Sequence, residues 1–164
     1  MKVEIRPSKG SDAKWFWEIL SNPRFAYFPI NVRSLEEEEQ FLRQSEQRRK
    51  EGSEFNFAIL CDGELVGGVG VRINFHFPHI GEAGYFVDEA YWGMGIATAA
   101  LRQIEDYAFR KLELIRLELV IATENKASEQ VAINCGYEKE GLLRKRMVIN
   151  GTYFDCYLYA KVLE

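Results

Sequence analysis

Hydrophobic residues follow two different periods along the chain. Short apolar or alternating stretches predict β-strands at positions 2–6, 54–61, 64–75, 80–87, 116–122, 138–149 and 152–162. Helical spacing predicts α-helices that begin near positions 12, 35, 95 and 126 and end near 20, 50, 110 and 135. The strand, helix and strand between 80 and 122 predict a right-handed parallel crossover.

Capping signals mark the beginnings of the first two helices. Ser11 or Asp12 is expected to cap the first helix, which places on one side Trp15, Phe16, Ile19 and Leu20. Ser34 and Glu37 form a capping box at the start of the second helix. The acidic run 36–39 resembles a patch for a basic substrate, but the helix dipole favours acids in a first turn and explains the run better.

A turn rich in glycine, residues 92–97, joins the predicted strand 80–87 to the third helix. Glycines let the backbone approach a ligand closely, and the first amides of a helix have no internal partner. The turn is therefore expected to bind phosphate. It lacks the Lys-Ser/Thr pair of a nucleotide P-loop and is too short for the dinucleotide fingerprint. A pyrophosphate held by main-chain donors alone suits a carrier such as coenzyme A.

Residues 84–101 resemble motif A of the GNAT superfamily of acyl-CoA-dependent N-acyltransferases, whose signature is Q/R-x-x-G-x-G/A. Gly95 and Ala97 occupy its last two fixed positions. Trp92 stands where Gln or Arg is usual, as in the branch that resembles the RimJ/RimL ribosomal-protein N-acetyltransferases. The order of elements matches the family's α/β fold, the GNAT fold. This implies a mixed, mostly antiparallel sheet with a central, splayed pair of parallel strands and flanking helices.

The resemblance also implies where acetyl-CoA, the expected cosubstrate, binds. Carried over from the family, main-chain groups of Tyr85, Phe86 and Val87 contact the pantetheine arm as an added strand would. Asn125 and Ser128 match the family motif N-x-x-S and contact the same arm; without the family, such an asparagine is a turn residue. The pyrophosphate is expected on Gly93, Met94, Gly95, Ile96, Ala97 and Thr98.

Direct acetyl transfer requires a neutral amine, stabilisation of the oxyanion and a proton for the departing thiolate. A strand amide near Val87 is the expected oxyanion donor. Many relatives protonate the thiolate with a tyrosine, but the matching position is Ala132. Ser128 is therefore the preferred acid, its alternative role being a helix cap. Glu82 is the preferred general base, acting through water, unless it is only an exposed strand residue.

Further candidates concern the acceptor. His79 is a second choice for the base, because imidazole is the side chain best suited to exchange a proton near neutral pH. Tyr153 and Asp155, on the last predicted hairpin, are candidates for binding the acceptor amine. The loop 24–33 carries three aromatic residues and, in the family, forms one wall of the acceptor site. The alternative is that these rings only cover the core.

Composition limits the class of protein. The 164 residues suffice for a single domain, 1–164, and the charged beginning differs from a signal peptide, so a cytoplasmic location is expected. Cys61, Cys135 and Cys156 are odd in number and lack C-x-x-C spacing, which argues against disulfides and a metal site. A formal charge of −4 without a basic stripe gives no support to nucleic-acid binding, and the apolar runs are too short for a membrane span.

The sequence therefore predicts an enzyme that transfers acetyl from acetyl-CoA to a primary amine, without a metal. The expected acceptor is a protein N-terminus, with a polyamine, an amino acid or an antibiotic amine as alternatives. An acyl-CoA-binding module without turnover is a further alternative, motivated by Ala132. Homodimers are common among the relatives, but no residue pattern here defines an interface.

Overall fold

The strands form one mixed sheet within residues 1–28 and 33–164, the part of the chain that the computed structural model describes. Their bounds are β1 Val3–Pro7, β2 Glu54–Cys61, β3 Glu64–Ile73, β4 Ile80–Val87, β5 Arg116–Ala122, β6 Glu138–Ile149 and β7 Thr152–Val162. The order across the sheet is β1-β2-β3-β4-β5-β7-β6. The pair β4 and β5 is parallel, and the other neighbouring pairs are antiparallel.

The helices cover both faces of this sheet. They are α1 Ala13–Leu20, α2 Leu35–Glu51, α3 Ile96–Arg110 and α4 Lys126–Asn134, with short 3-10 turns at Gly10–Asp12 and Glu89–Tyr91. Ala58 of β2 clusters with α1 and α2, whereas its neighbours Phe57 and Ile59 cluster with α3. Since successive residues of a strand point to opposite faces, α1 and α2 lie on one face, called the front face. α3 and α4 lie on the back face.

The back face holds the larger core and fixes α3 in place. Leu101 and Ile104 of α3 pack in one cluster with Leu117 of β5, and all three side chains are fully buried. Complete burial of one such side chain contributes about 1.5–3 kcal/mol. The N-terminus of α3 is therefore held rigidly at the end of the sheet where the turn 92–97 lies.

The helix caps agree only in part with the predictions. Ser34 Oγ accepts a bond from the Glu37 amide at 3.1 Å, which confirms the predicted cap of α2. The Glu37 carboxylate, however, accepts from the Arg33 amide at 2.7 Å, so the second bond of the predicted box is shifted by one residue. Of the two residues predicted to cap α1, Asp12 occupies the N-cap position, but its side chain makes no capping bond. Its carboxylate accepts instead from the Arg6 guanidinium at 2.7 and 2.8 Å and from the Lys9 amide at 2.9 Å.

Trp15 is also placed differently from the prediction. Its side chain is 53% exposed, while the neighbouring Phe16 is 4% exposed and packs in the front core. Adjacent residues of a helix are separated by about 100°, so the orientation of α1 that buries Phe16 turns Trp15 toward solvent.

β4 and β5 pair over a very short length. The parallel register joins Ile80 to Arg116, Gly81 to Leu117 and Glu82 to Glu118, and it ends there. Beyond Glu82, β4 remains bonded to β3 and β5 remains bonded to β7. The two strands therefore diverge toward their C-terminal ends and leave a gap, which confirms the predicted splayed pair.

Candidate functional site

The gap between β4 and β5 is lined by main-chain groups of β4. The Asp88 amide donates to the Val66 carbonyl of β3 at 2.7 Å, so the even-numbered residues of β4 are those bonded to β3. Hydrogen bonding alternates along an antiparallel strand. Ala83, Tyr85 and Val87 consequently direct their amides and carbonyls into the gap, where an added extended chain could bond to them.

The same register directs the main chain of Phe86 away from the gap. Phe86 is paired with Gly68 of β3. At the other end of β4, the Asn74 amide donates to the Ile80 carbonyl at 2.9 Å, so the even-numbered residues of β4 are bonded to β3 there as well. The main-chain contact expected for Phe86 is therefore not available in the gap, and Tyr85 and Val87 remain the candidates for it.

The Phe86 ring instead forms an aromatic wall on the front face. It meets Phe16 and Phe28 edge to face, with ring centroids 5.3 and 5.2 Å apart, and Phe25 lies at 6.5 Å. Phe25 and Phe28 belong to the loop predicted as a wall of the acceptor site. Residues 29–32 of that loop lie outside the described part of the chain.

The opposite wall comes from the same loop and from β7. Tyr27 meets Phe154 with ring centroids 5.9 Å apart, and its hydroxyl lies 3.4 Å from the Glu124 carboxylate. These contacts and the aromatic wall border a groove on the front face, with the gap at its floor.

The turn 92–97 has the geometry of an anion site. Gly93 and Gly95 have φ angles of 75° and 78°, a region that strongly favours glycine, and Gly95 caps α3. Within the described residues, no backbone carbonyl accepts from the amides of residues 93–98, and the first such bond is from Ala99 to Gly95. Free amides and the positive end of the α3 dipole favour a phosphate group here.

Trp92 connects this turn to β4. Its indole Nε1 donates to the Val87 carbonyl at 2.7 Å, and its ring meets Phe25 at 5.8 Å between centroids. The Arg24 guanidinium lies 5.7 Å from the same ring. Sequence reasoning identified Trp92 only as a departure from a motif; the partner of its indole depends on the path of β4 and has no local signal.

Asn125 and Ser128 form a closed pair at the start of α4. Asn125 Oδ1 accepts from the Ser128 amide at 3.2 Å, and Asn125 Nδ2 donates to Ser128 Oγ at 3.1 Å. The first bond fixes which end of the amide faces the hydroxyl. Because Oγ already accepts a hydrogen bond, its own proton is free to be donated elsewhere. Asn125, and not Ser128, is the cap of α4.

The Tyr85 side chain of β4 contacts this pair. Its hydroxyl donates to the Ser128 carbonyl at 3.3 Å, and burial raises the pKa of Tyr85 to about 12. The phenol therefore stays protonated at neutral pH. Ala132, one helical turn after Ser128, is fully buried and carries no hydroxyl, so the proton donors near this point are Ser128 and Tyr85.

Glu82 lies on the front face, because it alternates with Gly81, whose missing side chain faces Leu117 and the back core. Its carboxylate lies 3.6 Å from the Arg72 guanidinium and is 35% exposed. It lines an open cavity of about 270 Å³ together with Glu118 and Phe75. Glu82 and Ser128 are thus on opposite sides of the sheet, with the gap between them.

The weaker candidates do not join this arrangement. His79 lies before β4, at the end opposite the glycine turn, and its ring meets Phe77 edge to face with centroids 6.4 Å apart. The Asp155 carboxylate accepts from the Lys145 amide at 2.8 Å and so holds a bulge in β6. Tyr153 is 65% exposed near the tip of the last hairpin.

Two features are absent from residues 1–28 and 33–164. None of the helices described there is both long and apolar enough to cross a membrane. The same residues contain no group of three or more His, Cys, Asp or Glu side chains that could hold a metal ion.

Comparison with known proteins identifies the family. Residues 2–138 match the Acetyltransferase (GNAT) domain. The chain is 30% identical to the spermidine N(1)-acetyltransferase of Escherichia coli K12, over 92% of this chain and 81% of that protein. It is 27% identical to the ribosomal-protein-serine acetyltransferase of the same strain, over 92% and 80%.

A solved structure agrees with these matches. Mycobacterium smegmatis RimJ in complex with CoA-disulfide superposes with a TM-score of 0.89 at 26% identity, over 98% of this chain and 81% of that one. The gap, the glycine turn and the predicted mixed sheet thus occur together with the GNAT sequence pattern. The chain belongs to the GNAT family and is an acetyl-CoA-dependent N-acetyltransferase.

Proposed function

We propose that this enzyme acetylates the N-terminal amine of a protein. The observation that carries the proposal is the groove on the front face, bordered by the aromatic wall at Phe86 and by the contact of Tyr27 with Phe154. Val120 and Leu158 are only partly buried there, and the front core formed with α1 and α2 draws on β2, β3 and β4. An extended polypeptide fits such a groove better than an enclosed small molecule does. The ribosomal-protein-serine acetyltransferase among the relatives supports the same acceptor class.

The cosubstrate and the acceptor approach from different faces in this proposal. Acetyl-CoA lies with its pyrophosphate on residues 93–98 and its pantetheine arm along Tyr85 and Val87, so that the thioester lies within the gap. The acceptor amine arrives over the front face, where the Glu82 carboxylate takes its proton through a water molecule. The neutral nitrogen then forms a bond to the thioester carbon.

The oxyanion and the thiolate are stabilised by different groups. The gap-facing amide of Val87 donates to the oxyanion in this proposal, and it needs no rearrangement because β4 is held by β3. When the carbon–sulfur bond breaks, Ser128 donates its hydroxyl proton to the thiolate and takes up the proton that the reacting nitrogen loses as the amide forms. Asn125 is a positioning residue in this step, because its Nδ2 group directs the Ser128 proton away from itself.

A polyamine acceptor is the second candidate. Glu82 and Glu118 are directly paired on the two parallel strands and line the same front cavity. Two carboxylates in one cavity suit an acceptor with more than one cationic amine. The spermidine N(1)-acetyltransferase among the relatives favours the same candidate.

Thiol release from acetyl-CoA, measured across N-terminal peptides, polyamines and small amines, tests the proposal. Peptides are expected to give a kcat/KM at least about tenfold above that of any polyamine. Glu82→Gln is expected to lower kcat about a hundredfold, the usual contribution of a general base. Glu138→Gln, an exposed carboxylate on β6, is the matched control. Faster turnover of polyamines would favour the second candidate, and peptides that give no turnover would reject the first.

A further inference from the structure

Gly84 lies in β4 between Glu82 and Phe86, on the front face and beside the gap. A β-carbon built on it would meet no atom within 4 Å, and its φ angle is outside the left-handed region. Neither the backbone conformation nor packing therefore requires a glycine here. Glycine in the middle of a strand also weakens the strand, since it offers no side chain to pack.

The neighbouring strand glycines have a packing reason that Gly84 lacks. A β-carbon on Gly68 would lie 2.7 Å from the Phe86 ring, and one on Gly81 would lie 2.7 Å from Val71. One on Gly70 would lie 2.6 Å from the Asn56 side chain. The space over Gly84 is thus unusual within this part of the sheet.

The open space in front of Gly84 lies beside the proposed position of the thioester. Ala83 and Tyr85, on either side of Gly84, direct their main chains into the gap where the thioester is proposed to lie. The space is bounded along β4 by the proposed base, Glu82, and by the aromatic wall at Phe86. A path from the groove to a thioester held beside Ala83 and Tyr85 crosses the front side of Gly84, where no atom lies within 4 Å of a built β-carbon.

We propose that the missing side chain of Gly84 forms the passage through which the acceptor amine reaches the thioester. Residue 84 then determines how bulky the carbon next to that amine can be. The inference rests on the proposed acetyl transfer from the front face. It assigns to Gly84 a role in acceptor specificity and none in binding CoA, because CoA approaches from the back face.

Gly84→Ala and Gly84→Val test this, with Gly141→Ala and Gly141→Val as matched controls. A β-carbon on Gly141 in β6 would also meet no atom within 4 Å, and its φ angle is likewise outside the left-handed region. The readouts are the melting temperature, the Kd for CoA and kcat/KM for the acceptor. The acceptors are peptides whose first residue is Gly, Ala, Ser or Val.

The alanine variant at 84 is expected to lose about tenfold in kcat/KM and the valine variant about a hundredfold. The loss should grow with the size of the first peptide residue, while melting temperature and CoA affinity follow the Gly141 controls. Unchanged kcat/KM in a folded Gly84→Val variant would overturn the inference. A parallel loss of CoA affinity would also overturn it, since the space would then belong to the cosubstrate. If the valine variant does not fold, the alanine variant decides.

The wild type is measured first with the full amine panel, and its best acceptor is used for the variants. Turnover of another amine but of no peptide would reject the proposed protein acceptor and leave the test of Gly84 in place. A polyamine ladder with increasing substitution beside the reacting nitrogen would then replace the peptides.

Discussion

The Trp92 indole donates a hydrogen bond of 2.7 Å to the Val87 carbonyl. This bond joins the first residue of the glycine turn to the last residue of β4. Val87 directs that carbonyl toward the gap, so the indole lies at the end of the gap nearest the expected pyrophosphate. At position 92, only an aromatic side chain with an N–H or O–H group can both donate this bond and place a ring against Phe25.

Replacement of Trp92 by Phe should weaken the binding of acetyl-CoA. The ring contact remains in part, but the donor is lost, and one hydrogen bond is worth about 1 kcal/mol, which corresponds to about fivefold in KM. Steady-state kinetics with varied acetyl-CoA measure this. Trp15→Phe is the control, because its ring is exposed. An unchanged KM in Trp92→Phe would show that the bond does not organise the turn.

Two substitutions of Asn125 should separate its two hydrogen bonds. Asn125→Asp keeps the acceptor for the Ser128 amide but cannot donate to Ser128 Oγ, so the hydroxyl proton turns to the carboxylate. We expect kcat to fall about tenfold, with little change in the free energy of unfolding. Asn125→Ala also removes the cap and should cost about 1 kcal/mol of stability. A fully active Asn125→Asp enzyme would contradict the positioning role.

Gly95→Ala should affect both stability and cosubstrate binding. Its φ angle of 78° is strained for alanine, by about 1 kcal/mol. Gly52, after α2, has a φ angle of 75° and an equally open surrounding, so Gly52→Ala carries the same strain at the end of the sheet opposite the turn. Both variants should lower the melting temperature alike, but only Gly95→Ala should raise the Kd for CoA in calorimetry. Equal CoA affinity would remove the turn from the binding site.

Glu38 should make stability depend on pH. Its side chain is 4% exposed on α2, and burial raises its pKa to about 6 from the ordinary 4.5. Between pH 4.5 and 6 the unfolded chain releases this proton before the folded one does, so stability falls as pH rises through that window and stays lower above it. Glu38→Gln should abolish this fall, which amounts to about 1–2 kcal/mol in the free energy of unfolding at pH 8. Urea unfolding from pH 4 to 8 measures it, with the exposed Glu46→Gln as control.

Features with a local signal were predictable. β4, β5 and β7 have the predicted bounds, and the Asn150-Gly151 pair forms the expected turn with both φ angles positive. Gly136, at 81°, confirms the left-handed residue expected after α4. In each case a few adjacent residues determine the backbone, through propensity or through freedom at positive φ.

Features that depend on register were not predictable. Phe86 and Val87 are neighbours in sequence, yet one directs its main chain to β3 and the other to the gap. Only the pairing of Asp88 with Val66, 22 positions earlier in the chain, decides which is which. The same holds for Gly84, since the sequence cannot tell an empty neighbourhood from a crowded one such as that of Gly68.

The short pairing of β4 with β5 leaves the middle of the sheet incomplete. The Leu163 amide donates to the Ile115 carbonyl, so the odd-numbered residues of β5 are those bonded to β7. Val120 is even-numbered and therefore also directs its main chain into the gap. A pantetheine arm bonded there would supply the ladder that neither strand supplies. Amide hydrogen exchange at Tyr85 and Val120 should then slow when CoA is added, and protease resistance should rise with it. Acetyl-CoA would thereby act as a structural part of the sheet as well as a substrate.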